Sequence, residues 1–324
     1  MKTHAIRIHE TGGPEVMRWE EIETGEPGPG QVLIRNTAIG LNFVDVYYRT
    51  GLYPLALPAV IGVEAAGRVE AVGPKVKELK PGDRVVADMR MGSYAERRIA
   101  PADRLVKIPA AISDQQAAGM MLKGMTAQYL LRRTYRVKAG ETILVHAAAG
   151  GVGLILCQWA KALGARVIGT VSTAEKAALA KKNGCHFPIV TSGQGFVQRV
   201  REITKGKGVP VVYDSVGKDT FVDSLECLAP LGLMVSCGNA SGPVAPFPLG
   251  ILSQKGSLFL TRPTLATYTA TREDLVKAAR ELFAVVTRGL VKIRINQTYP
   301  LKEAPQAHRD LEARKTTGST VLLP

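Results

Sequence analysis

Cysteine is scarce: four thiols, at positions 157, 185, 227 and 237, with no CxxC pair and no His cluster beside them. That pattern excludes a disulfide framework and carries no structural zinc signature. It suits reduced thiols in a cytoplasmic protein. No apolar run is long enough to span a bilayer as a helix. The opening residues MKTHAIRIHETGG alternate and are charged, so no signal segment is expected. Internal repeats, low-complexity tracts and long Lys/Arg blocks are also missing, which leaves little signal for nucleic acid.

The chain that remains is an ordinary globular one. It has 324 residues, 46% hydrophobic and 22% charged, enough for about two domains and a sizeable core. Gly and Pro together number 52, which implies many turns. The net charge is +14, and the excess sits in the middle third: residues 125–262 carry 16 basic and 7 acidic side chains. Such a bias suits an anionic ligand or plain solubility.

Three textures follow one another. The first third reads as short strands between Gly/Pro turns, such as QVLIRNTAIG and AAGRVEAVG, and predicts a sheet-rich domain over 1–124. A helix over 117–131 leads out of it. From residue 141, strand-like runs (142–147, 166–171, 187–190, 209–213, 232–237, 257–261) alternate with helix-like ones (154–163, 174–182, 196–204, 221–228). This alternation predicts a doubly wound α/β domain with a parallel sheet over 125–262. After Pro263 a capping-box pattern, Thr271 to Asp274, opens a helix with an apolar stripe that Gly289 closes. Residues 263–324 are too few for a third domain and are expected to complete the first.

The strongest motif is ILVHAAAGGVGLILCQWAKALGARVIGTV. An apolar strand runs into Ala148, Ala149, Gly150, Gly151, Val152 and Gly153, and a helix and a second strand follow. The G-x-G-x-x-G frame falls on Ala148, Gly150 and Gly153. Gly150 permits close approach of a pyrophosphate, and Gly153 permits close packing of helix on strand. The strand–turn–helix–strand context turns a weak glycine frame into a dinucleotide site. An NAD site would place Asp or Glu at the end of the second strand. Here Ser172 stands there, with Lys176 shortly after, which suits a 2′-phosphate and therefore NADPH. The alternative is that Ser172 caps the next helix and Lys176 is a solvated surface lysine.

With that turn in place, the whole chain resembles the medium-chain dehydrogenase/reductase superfamily, in its zinc-free, zeta-crystallin-like NADPH:quinone reductase branch. The motifs that carry the resemblance are GLNFVDVYYRTGLYP (40–54), GVEAAGRVEAVG (62–73), KPGDRV (80–85), LKGMTAQYLL (122–131), HAAAGGVG (146–153), GNASG (238–242), LGILSQKGSLFLTRP (249–263) and the terminal ARKTTGSTVLLP. The resemblance implies a GroES-like catalytic domain, formed by the first segment and the tail, around an inserted Rossmann domain. At the two positions where zinc-dependent members hold Cys and His, this chain has Asn42 and Val63, neither a substitute on zinc. The four-cysteine lobe is missing as well.

Carried over residue by residue, the resemblance puts Asn42, Asp45, Tyr47 and Tyr53 around nicotinamide and quinone. It implies cofactor contacts at Thr126, Ser172, Lys176, Ser215, Asn239 and Arg314, beside the turn Ala149–Gly153. Thr191 replaces a tyrosine common near the adenosine phosphate. Blander readings exist for several of these. Asn42 and Asp45 could be turn or cap residues, Tyr47 and Tyr53 packing aromatics, Glu64 a structural carboxylate, and His146 a satisfied core histidine. The expected function is zinc-independent NADPH:quinone reduction by a cytoplasmic homodimer. Hydrogen bonds from Asn42 and Tyr47 are expected to stabilise oxyanion charge. The alternatives are reduction of enones or alkenals, RNA binding on the same fold, and a crystallin-like structural role.

Overall fold

The computed structural model describes residues 1–87, 90–191 and 195–324. The chain divides into two compact units: Met1–Met125 with Thr269–Thr287 and Ile293–Pro324, and Thr126–Tyr268 with Arg288–Lys292.

The first unit begins with β1 (Lys2–Ile8), β2 (Arg18–Glu23) and the long β3 (Gln31–Leu41). α1 (Phe43–Arg49) follows directly, then β4 (Ala59–Val60), β5 (Ala65–Val72), β6 (Arg84–Ala87), β7 (Arg97–Pro101), β8 (Leu105–Lys107) and α2 (Asp114–Tyr129), whose last residues, from Thr126, belong to the second unit. β1 pairs antiparallel with β2 on one side and β4 on the other. β3 is the spine of a second sheet, antiparallel to both β5 and β7. It is long because Val32, Leu33, Ile34, Ala38, Ile39 and Leu41 are all buried. Two apolar clusters hold the unit together, one around Ile6, Ile39, Ile61 and Tyr94, the other around Val32, Val69, Val85 and Leu105.

The second unit carries β9 (Thr142–Val145), α3 (Gly151–Ala162), β10 (Arg166–Val171), α4 (Ala174–Lys182), β11 (Phe187–Val190), α5 (Phe196–Ile203), β12 (Val209–Asp214), α6 (Phe221–Glu226), β13 (Leu228–Ser236), α7 (Gly250–Gln254), β14 (Phe259–Thr261) and α8 (Leu265–Tyr268). Among the described residues its sheet runs β11-β10-β9-β12-β13-β14, with every pair parallel. This is the doubly wound order, in which the direction of winding reverses beside β9. Leu144, Ile168, Phe196, Val212, Phe221 and Met234 fill its core.

The last segment supplies α9 (Arg272–Thr287), β15 (Ile295–Pro300), α10 (Ala304–Glu312) and β16 (Ser319–Leu323). The expected capping box opens α9: the Asp274 N–H donates to Thr271 Oγ1 at 3.1 Å. β16 pairs with β15 and, antiparallel, with the end of β3. β3 leads into α1, so this sheet fixes the place where α1 starts.

Candidate active site

In the second unit the turn, Ser172, Ser215 and Asn239 follow the carboxyl ends of parallel strands, where such sheets bind ligands. The turn from 146 to 150 follows β9, Ser172 follows β10, Ser215 follows β12, and Asn239 lies three residues past β13. The turn is tightly wound. Ala147 takes a left-handed φ of 49° without being glycine. A Cβ on Gly153 would run into the Ala147 carbonyl oxygen, so that position requires glycine. Gly150 caps α3 with no side-chain hydrogen bond. The Leu154 N–H reaches the Gly150 carbonyl at 2.9 Å. The N–H groups of Gly151, Val152 and Gly153 lie before that bond, in the first turn, and have no intrahelical acceptor. Gly151 and Val152 are half-exposed, and open donors at the positive end of a helix make a cradle that fits a pyrophosphate.

The adenosine side also fits a phosphate. Ser172 is exposed just past β10, and Lys176 Nζ stands 3.3 Å from its Oγ. The cap of α4 is Thr173, whose side chain accepts the Lys176 N–H, so Ser172 is not the capping residue. Thr126 is half-buried, its side chain hydrogen-bonded to Tyr129. Asp214 was not singled out by the sequence, and it builds the turn that carries Ser215. Its Oδ1 accepts from Val216 N at 2.8 Å, Gly217 N at 3.0 Å and Thr220 Oγ1 at 2.9 Å. Arg262, just past β14, also escaped sequence reading. It donates to the Ser236 carbonyl at 2.8 Å, and to the Asn239 amide oxygen at 3.1 Å with that amide turned to suit its neighbours. His146 is a core residue, bridging Thr170 Oγ1 and Ser224 Oγ, with a pKa lowered by burial.

In the first unit, Asn42, Asp45, Tyr47 and Tyr53 lie on α1 and its flanks. Asn42 caps α1 in extended conformation, and its N–H donates to Asp45 Oδ2 at 2.9 Å. Its side chain, however, is already engaged. Nδ2 donates to Glu64 Oε2 at 2.9 Å and to the Gly40 carbonyl at 3.3 Å, while Oδ1 accepts from Lys123 Nζ at 2.7 Å. Both amide hydrogens are therefore spent inside the protein, which removes Asn42 as the expected oxyanion donor. Tyr47 is 9% exposed, and its ring meets Tyr53 edge to face with centroids 5.3 Å apart. Tyr48 also meets Tyr53 edge to face, with centroids 5.6 Å apart. Arg314 is exposed beyond α10, in the same unit as these residues.

A buried polar chain backs Asp45. Tyr94 Oη donates to Asp45 Oδ2 at 3.0 Å and meets His308 Nε2 at 3.0 Å. His308 Nδ1 lies 3.1 Å from Arg49 NH1, and Arg49 grips Glu312 with two bonds of 2.9 and 2.8 Å. Arginine only donates, so Nδ1 must accept and Nε2 must carry the proton. Burial raises Asp45 to about 7, while burial and then Arg49 push His308 down to about 3. Glu64 is raised by its own burial, against the pull of Lys123. Glu64 accepts Leu122 N–H at 2.7 Å as well as the Asn42 amide. Lys123, Tyr94 and His308 were missed, because nothing in the sequence marks a lysine or histidine whose partners are distant in the chain.

Two family models match the chain: "Alcohol dehydrogenase GroES-like domain" over residues 28–110 and "Zinc-binding dehydrogenase" over 151–284. A quinone oxidoreductase of Pseudomonas aeruginosa is 57% identical over 98% of this chain and 99% of its own length. A 2-haloacrylate reductase of Burkholderia is 50% identical over 99% of this chain and 98% of its own. The crystal structure of Escherichia coli quinone oxidoreductase complexed with NADPH matches with a TM-score of 0.97 at 51% identity, covering 99% of this chain and 100% of that one. Among the described residues, no helix is long and apolar enough to cross a membrane.

Proposed function

Because the chain belongs to the quinone oxidoreductase branch of the medium-chain dehydrogenase/reductase superfamily, we propose that it reduces quinones with NADPH, without a metal. The observation that carries this reading is the pyrophosphate cradle of α3 together with Ser172 and Lys176 past β10. NADPH, when bound, supplies a hydride, and a proton completes reduction of the quinone to hydroquinone. The chain's own residues bind, orient and polarise. First-turn N–H groups hold the pyrophosphate, and Ser172 and Lys176 meet the 2′-phosphate. Ser215, Asn239, Thr126 and Arg314 are proposed as further cofactor contacts. The Tyr47 hydroxyl donates to the carbonyl oxygen that gains charge, and Tyr53 walls the ring of the acceptor.

Zinc chemistry is not part of this reading. Val63 brings no donor, and an ammonium already occupies Asn42 Oδ1 at 2.7 Å. Dications and ammonium groups compete for such an oxygen, so the donor set does not fit zinc. The protein is further proposed to be a cytoplasmic homodimer paired along β14.

The test is NADPH oxidation with a simple benzoquinone. Tyr47→Phe is expected to lower kcat/KM several-fold, about 1 kcal/mol in the barrier, since quinones need little help. NADPH affinity, read by fluorescence, should stay unchanged. A second reading is supported by the 2-haloacrylate reductase at 50% identity: reduction of electron-poor alkenes at the same site. Protein that binds NADPH and reduces enones or 2-haloacrylates but no quinone would establish that reading instead.

A further inference from the structure

We infer that Lys123 is a positioning residue: with Glu64 it locks the Asn42 amide into one orientation. The inference rests on the proposed reductase function but concerns a residue outside the residue set assigned from resemblance.

The argument starts from donor and acceptor chemistry. A lysine ammonium can only donate and a carboxylate can only accept. Lys123 Nζ stands 2.7 Å from Asn42 Oδ1 and 3.1 Å from the Leu41 carbonyl. Glu64 Oε2 stands 2.9 Å from Asn42 Nδ2 and 3.7 Å from the same ammonium. Turning the amide over would set its N–H groups against the ammonium and its oxygen against the carboxylate. One orientation is therefore selected twice. Lys123 is 6% exposed, and Glu64 is fully buried. So costly a burial of charge is tolerated because each group is paired and hydrogen-bonded. The pair also reaches the backbone of α2, where Leu122 N–H donates to Glu64 Oε1. Lys123 thus ties α2, β3 and the start of α1 to one amide.

The experiment uses the full chain. In 15N-labelled protein the Asn42 side-chain amide is identified by its loss in Asn42→Ala. In wild type this amide is expected to be shifted and protected from exchange. Lys123→Met should collapse both features. Lys123→Met combined with Glu64→Gln removes the pair without leaving a lone buried charge, and it should do the same, which covers the case in which the single variant fails to fold. In turnover, Lys123→Met should lower kcat/KM for benzoquinone at least tenfold, with the NADPH Kd within twofold of wild type. In the Asn42→Ala background the same substitution should cost less than twofold, because the residue through which Lys123 acts is gone. A general loss of stability would lower both backgrounds alike. An Asn42 amide unchanged in both Lys123 variants, or an equal loss in both backgrounds, overturns the inference. Wild type that binds NADPH but reduces no acceptor overturns the proposed function instead, and the amide signals still decide the role of Lys123.

Discussion

Asp45 and His308 sit two hydrogen bonds apart and answer pH with opposite sign. Asp45 holds its proton up to about 7, against an ordinary value of 3.8. Between those values the folded state binds more protons than the unfolded one, so the Asp45 contribution to stability falls as pH rises from about 4 to about 7. His308 is held down to about 3, against 6.5. There the unfolded state binds more protons, so its contribution rises over that window. Each change amounts to on the order of 4 kcal/mol, and the two nearly cancel between about pH 4 and pH 6.5. Single variants should uncover them. Relative to wild type, Asp45→Asn should gain urea stability as pH climbs from 4 to 7, and His308→Gln should lose it from 3 to 6.5. A pH-independent difference for either variant would refute its assignment. At the cofactor end, Lys176→Ala should erode a preference for NADPH over NADH by about tenfold in kcat/KM, the strength of one charge-assisted contact. An unchanged ratio would separate Lys176 from the 2′-phosphate. The place of Ser172 and Lys176 past β10 was legible because both are tied to a strand end by a fixed spacing. Lys123 and His308 were not, because their roles come from partners 81 and 214 residues away in sequence.

The meeting of β3, α1 and α2 turns on one small residue. A methyl at Gly40 would land on the Ala118 carbonyl oxygen and on Glu64 Oε2, which are backbone and a held carboxylate. Gly40→Ala should therefore destabilise the first unit by about 1–3 kcal/mol, as overpacking does. It should also reduce quinone turnover by displacing Glu64 from Asn42. Gly25 offers a control, since nothing lies within 4 Å of its added Cβ. Gly25→Ala should be neutral or slightly stabilising in the same urea titration. Equal effects at both sites would remove the steric argument. Several elements were read correctly from pattern alone: β10 at Arg166–Val171, β11 at Phe187–Val190 and α4 at Ala174–Lys182. Others began earlier than expected. α3 starts at Gly151, where the glycines look like turn, although the open N–H groups of that turn are what a phosphate needs. β13 starts at Leu228, with Pro230, Leu231 and Gly232 inside it; Leu231 takes a φ of 60° and the pairing register shifts there. α1 was hidden because Phe43, Val44, Val46, Tyr47 and Tyr48 favour strands. It is the capping geometry of Asn42 and Asp45, together with packing, that makes it a helix.

For the whole molecule, the open question is what covers β14. This strand closes one edge of the parallel sheet, with Phe259 59% and Leu260 36% exposed. An apolar strand edge invites pairing with another chain unless something blunts it. Two-fold pairing of β14 with itself would be antiparallel and would cover the open backbone edge beside both side chains on both copies. Light scattering of wild type at micromolar concentration should give twice the chain mass, and Phe259→Glu with Leu260→Glu should give a single chain that still binds NADPH. Ionic strength separates this contact from the RNA alternative. Two copies that each carry a net charge of +14 repel, so added salt should favour the dimer. A polyanion held by the same charge would dissociate steeply over the same salt range. A wild-type monomer at low and high salt would leave the β14 edge without its proposed partner. RNA binding that persists in high salt would contradict the view that the positive charge acts only as a dispersed surface field.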